Sequence, residues 1–142
     1  MVVRKELFKV VDGYIETRLS ERSADTMGAS WLTTDVQSAR SLVELVDLIA
    51  RIDSGTETGK HSHDGNVWTV EIDASGISME HLYSSRLGVY TMSLEDALSI
   101  LEQYWRAAVD AGRAAPIKRE MKRFSNVNRR SPKIPWADEF EY

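Results

Sequence analysis

Residues 67–108 leave a chain of this kind few ways to fold. Residues 67–73 (V-W-T-V-E-I-D) alternate, placing Trp68, Val70 and Ile72 on one side and Thr69 and Glu71 on the other, the period of a strand with one buried face. The connection Asp73-Ala74-Ser75-Gly76 follows, with a glycine for the left-handed position of a bulged hairpin turn. Residues 77–83 resume the alternation, with Ile77, Met79, His81 and Tyr83 on one side, and residues 87–92 form a third short β-rich run. Ser93-Leu94-Glu95-Asp96 then reads as a helix start, a hydroxyl cap followed by early acids. Leu94, Leu98, Leu101, Trp105 and Ala108 recur at helical spacing until Gly112. This is a sheet with a helix to cover it.

Upstream the same logic predicts a hairpin, residues 6–11 and 14–19 joined by Asp12-Gly13. Residues 20–26 read as a loop and residues 28–32 as a short strand with Trp31 as its core residue. A capping box at Ser41-Leu42-Val43-Glu44 opens a helix over residues 42–52, with Leu42, Leu45, Val46, Ile49 and Ile52 buried and Gly55 as its stop. Residues 56–65 read as a hydrophilic loop, and residues 116–124 as a short helix. The last stretch, residues 125–142, has two prolines and little periodicity, so it either crosses a surface or is disordered. The expected fold is α+β: an antiparallel sheet of hairpins packed against two main helices, in a single domain with a C-terminal tail. Residues 1–112 form the body and residues 113–142 a basic, then acidic, extension.

Charge divides along the same line. Residues 1–112 carry 10 basic and 18 acidic side chains, residues 113–133 carry 8 basic and 1 acidic, and the remainder adds Asp138, Glu139 and Glu141. An acidic body repels phosphate and favours a cationic partner, whereas the basic tail can lie on its own acidic domain. There is no cysteine, which excludes a disulfide framework, a thiolate metal site and thiol catalysis. The opening Met-Val-Val-Arg-Lys-Glu has no apolar run of the signal-peptide kind and no longer apolar stretch is free of charges, so a cytoplasmic protein is expected, with no membrane contact.

Candidate chemistry is sparse. His61-Ser62-His63-Asp64 is the only cluster of metal-type ligands, and Gly65 stands where a hydrolase version would need its aspartate. In a polar loop it reads as a solvated turn, so no metal and no cofactor are expected. His81 reads as a hydrogen-bonded, half-buried side chain rather than a general base. Ser84 and Ser85 lack a nucleophile elbow, and there is no glycine-rich phosphate loop. Glu71 and Glu80 on neighbouring strands share a polar face that is either solvated or a binding surface. The basic run from Lys118 to Phe124, with Arg129 and Arg130, lacks a recognition helix and a ladder of stacking aromatics. It reads as a salt-bridged face. Trp136, beside Asp138 and Glu139, pins the tail to the body or serves as an interface hot spot.

Residues 14–20 (Y-I-E-T-R-L-S), residues 31–36 (W-L-T-T-D-V), the helix over 42–52, residues 68–73 (W-T-V-E-I-D) and residues 92–98 (M-S-L-E-D-A-L) run in sequence. Together this order resembles the small YacL-like bacterial proteins, a group that includes CdiI immunity proteins of contact-dependent growth inhibition. The resemblance covers residues 10–108 and leaves the tail outside. It implies a cytoplasmic inhibitor, not an enzyme, that binds a cognate CdiA C-terminal toxin domain of nuclease type, and it implies no catalytic residues. Glu71 and Glu80 are then the expected toxin contacts, with Trp136, Asp138 and Glu139 as a second set. The competing readings are a metal-dependent hydrolase built on His61 and His63, and a nucleic-acid-binding accessory protein built on the basic tail.

Overall fold

Strands β1 (Phe8–Val11) and β2 (Tyr14–Thr17) pair antiparallel with Val11 opposite Tyr14. Asp12 and Gly13 between them both take positive φ, as the tight hairpin requires. The computed structural model describes residues 6–18 and 23–139. The opening residues 1–5, the end of the second expected strand at Leu19 and the first part of the expected loop, residues 20–22, lie outside the described residues, as do residues 140–142.

The second sheet is a four-stranded antiparallel meander in chain order: β3 (His61–Asp64), β4 (Trp68–Asp73), β5 (Gly76–His81) and β6 (Val89–Met92). Its register places Trp68 opposite His81, Val70 opposite Met79 and Ile72 opposite Ile77. Trp68, Val70, Ile72, Ile77 and Met79 are all buried, so the alternation in sequence becomes one dry face. In the β4–β5 hairpin Asp73 pairs with Gly76, leaving only Ala74 and Ser75 between the strands. A side chain at Gly76 would place its Cβ 2.5 Å from the Met92 carbonyl oxygen, so glycine here lets β6 approach.

Among the described residues there are four helices, α1 (Ala24–Asp35), α2 (Ala39–Asp53), α3 (Leu94–Asp110) and α4 (Ala114–Asn128); α1 and α3 meet the sheet, α2 packs on α3, and α4 packs on α2 and α3. The α+β class holds, with the hairpins in two sheets and with four helices among the described residues. Helix α3 starts on the Ser93 hydroxyl, which accepts from the Asp96 amide at 3.0 Å. Four expectations need correction. The strand over residues 28–32 and the later part of the loop before it are helix α1, capped by Ser23 on the Thr26 amide. Because Met27, Ala29, Trp31 and Leu32 are all buried, α1 has no polar face whose period would announce a helix. The capping box at Ser41 does not form. Ser38 caps α2 one turn earlier, accepting from the Ser41 amide at 3.0 Å, and Glu44 turns to Arg40 and Arg123 instead. The hydrophilic loop before the central sheet contains β3, a polar edge strand whose backbone pairs with β4. The short helix in the tail runs to Asn128 and ends on Arg129, left-handed at φ 55°.

The tail does cross a surface, and its apolar residues join the body's core. Ile117, Phe124, Ile134 and Trp136 belong to the same buried cluster as Trp31, Trp68 and Trp105. No helix among the described residues is long and apolar enough to cross a membrane.

One contact ties the layers together. The Asp35 carboxylate, at the end of α1, accepts from the Trp68 amide at 2.8 Å and the Val67 amide at 3.1 Å. It lies so close to Gly65 that a Cβ there would sit 2.3 Å from Asp35 Cγ. Asp35→Ala is therefore expected to cost about 2–3 kcal/mol, since two backbone donors lose a charged acceptor. A urea titration checks this, and Asp35→Asn should retain part of the stability.

Candidate protein-binding surface

The face of the four-stranded sheet turned away from the helices is built by the same alternation that builds the core. Two cross-strand rows lie on it: Ser62, Glu71, Ser78 and Thr91, then Asp64, Thr69, Glu80 and Val89. Glu71 sits opposite Ser78, and Glu80 opposite Thr69, so the two glutamates are diagonal neighbours on adjacent strands, about 7–8 Å apart. Both are exposed. Glu71 has an ion pair with Lys60 at 3.4 Å, two exposed side chains whose attraction is screened by solvent. Glu80 has no ion-pair partner among the described residues. Asp64 accepts from the Thr69 hydroxyl at 3.0 Å.

Glu71 and Asp73 also line a shallow depression of about 370 Å³ with Ser75, Ser78, Thr91 and Ser93. The Ser75 hydroxyl and amide both donate to the Asp73 carboxylate and hold its pKa below the usual value. The lining is thus rich in hydrogen-bond acceptors beside two carboxylates, suited to an ammonium or guanidinium group and hostile to phosphate.

Beyond Glu80, around the end of β5, three apolar side chains are exposed. Val89 is 58% exposed, Leu82 48% and Tyr83 78%. The alternation suggests Tyr83 for the core, but β5 ends at His81 and Tyr83 points to solvent. Its position is set by His81, whose Nδ1 accepts the Tyr83 amide at 3.1 Å and whose ring stands edge-on to Trp68 at 5.0 Å. His81 is accordingly a half-buried positioning side chain. Leu82 continues the ladder, donating its amide to the Val67 carbonyl at 2.8 Å. A held aromatic beside exposed aliphatics and charged side chains is the composition of an interface centre. Sequence reasoning missed these three residues. Their only signal is a strand pattern that runs into Ser84-Ser85 and resumes after Gly88.

The second set of candidate contacts is not on this face. Trp136 is 2% exposed and stands edge-on to Trp105 at 5.7 Å, so it is a core residue and is corrected as a partner contact. Asp138 and Glu139 lie in a 3-10 turn (Ala137–Glu139) and are exposed, with Glu139 bound to Arg106 of α3 at 3.0 Å. The structure therefore brings Glu71 and Glu80 together and leaves the tail acids on the helical side.

His61 and His63 project from β3 toward the inner side of the sheet. His61 Nε2 lies 3.1 Å from the Thr58 carbonyl, and His63 Nδ1 accepts from the Trp31 indole at 3.4 Å. Among the described residues no three histidine, cysteine or acidic side chains gather as a metal set. The basic run is drawn onto α2. Arg123 reaches Glu44 at 3.2 Å as well as Glu120, and Arg130 reaches Asp47 at 2.9 Å.

The chain matches no protein-family model, no curated protein and no solved structure.

Proposed function

We propose that this protein is a cytoplasmic immunity protein, an inhibitor rather than an enzyme, that binds the cationic active face of a nuclease-type toxin domain through the outer face of its β3–β6 sheet. The observation that carries this reading is the pairing of carboxylates at Asp64, Glu71, Asp73 and Glu80 with exposed apolar side chains at Leu82, Tyr83 and Val89. A nuclease cleft must be basic to hold phosphate, and an acidic sheet face complements it and speeds encounter. The apolar side chains supply what charge alone does not, an area to desolvate and so a slow dissociation. The order of elements that resembles the CdiI proteins supports the same reading.

The test is co-expression with the toxin domain encoded beside this chain. Protection and a one-to-one complex are expected. Reversing Glu71 and Glu80 to lysine should weaken the complex by about 2–5 kcal/mol, because charged partner groups are left unpaired. Association should slow and lose its dependence on salt, whereas Tyr83→Ala should act on dissociation. Absence of both protection and complex would overturn the immunity reading. Full protection by the double variant would overturn only the choice of surface.

A further inference from the structure

Two depressions on the helical side of the molecule meet and share Gln37, Tyr104 and Arg113. One, of about 270 Å³, is an apolar slot between α2, α3 and α4, walled by Leu42, Ala108, Pro116 and Ile117. The other, of about 440 Å³, opens toward the β1–β2 hairpin at Tyr14 and Ile15. Arg113 stands where they join. It is half-buried, and among the described residues no acidic side chain pairs with it. It lines both depressions together with Tyr104, whose hydroxyl donates to the Val36 carbonyl at 2.8 Å. Burial raises the Tyr104 pKa and Arg113 only partly opposes this, so the phenol is a neutral fixture in the wall that the two depressions share. With no acidic partner among the described residues, the planar donor fork of Arg113 is available to a carboxylate. Helix α4 begins at the same point without a side-chain cap. Pro116 has no N–H and the Ile117 amide is already on the Arg113 carbonyl, so the open amides are those of Ala114 and Ala115.

We propose that this cleft binds a small organic acid with an apolar body, its carboxylate on the Arg113 guanidinium and its aromatic or branched aliphatic group in the slot. Each part of the ligand answers a part of the site. A bare inorganic anion would leave the slot uncovered, and a neutral hydrocarbon would leave the guanidinium without a counter-charge. The slot has room for about nine water volumes, which suits a body the size of a phenyl ring with a short arm and is too small for a nucleotide. This site is on the helices and is independent of the sheet face, so it stands or falls separately from the immunity reading.

Phenylacetate and its neutral isostere phenylacetamide test it by amide chemical-shift titration of the full chain. Phenylacetate should shift signals of residues 113–115 and 117 and of Leu42 and Tyr104 saturably, and bind at least about tenfold more tightly than phenylacetamide, the difference one charge-assisted pair makes. Arg113→Gln should reduce phenylacetate to the level of the amide. Ala39→Leu, which narrows the slot from its rim, should weaken both probes while the spectrum elsewhere is unchanged. No saturable shift at these residues, equal binding of the two probes, or phenylacetate binding untouched by Arg113→Gln would each overturn the proposal.

Discussion

Replacing Asp47 by alanine is expected to cost about 3–5 kcal/mol of folding stability and to release residues 129–139 from the body. Asp47 is on the buried side of α2, its side chain 2% exposed. Three groups converge on its carboxylate: the Arg130 guanidinium with two contacts at 2.9 Å, the Lys133 amide at 2.8 Å and Arg51 Nε at 3.0 Å. Burial works to raise the Asp47 pKa, but the bonds from Arg130, Lys133 and Arg51 together outweigh it and hold the carboxyl below its usual value of 3.8. Removing the carboxylate strands the Lys133 amide and the Arg130 guanidinium, whereas Arg51 keeps its ion pair with Glu57. A lowered folded-state pKa sets the sign of the pH dependence: the contribution is complete above the ordinary carboxylate range and is lost as pH falls through the lower folded value. Denaturant titrations of parent and Asp47→Asn should therefore differ most at neutral pH and converge in acid below about pH 4. Hydrogen exchange over residues 130–139 reports the tail directly. A difference that stayed constant with pH would mean that the carboxylate's charge is not what matters.

Trp136→Ala is expected to destabilise the protein by a further large amount, about 3–5 kcal/mol, the range for removing a buried tryptophan. Its indole packs edge-on against Trp105 within the single core cluster that holds Ile134, Ile117 and Phe124. The cost comes from lost apolar burial and from a cavity beside α3 that the short tail cannot collapse to fill. Had the tail merely rested on the surface, the same change would stay within about 0.5 kcal/mol. A thermal melt separates the two outcomes. Trp136→Phe, which keeps the ring contact and loses less volume, should recover much of the stability. The sites of Asp47 and Trp136 act on one segment, so the double variant should cost less than the two single costs added together.

These two residues explain why a tail rich in charge and proline is ordered. Arg129 takes the left-handed position that ends α4 and turns the chain back, so that Arg130 meets Asp47 and its guanidinium lies over Phe124, 5.0 Å from the ring centre. Neither the turn nor its partner shows in local sequence, because Asp47 and Arg130 are 83 positions apart.

What the sequence by itself determined is the set of segments whose environment differs between two sides. The strands at residues 68–73 and 76–81, the Asp12-Gly13 hairpin, the Ser93 cap and the buried stripes of α2 and α3 were legible because half of each element faces water and half does not. The outer-face position of Glu71 and Glu80 followed from the same period. Tertiary structure alone decided the elements for which that contrast is missing. Helix α1 is buried nearly all round, and the polar strand β3 exists because β4 offers it a backbone to pair with. Trp136 was open to two readings until its place against Trp105 made it core. Tyr83 shows the opposite case: its alternation pointed inward, and the strand's end at His81 turned it out. The Arg113 cleft belongs to the same class, since Gln37, Tyr104 and Arg113 meet only when three helices pack. Periodicity records which side of an element is wet, whereas partners distant in sequence are chosen by packing, and no local pattern carries that choice.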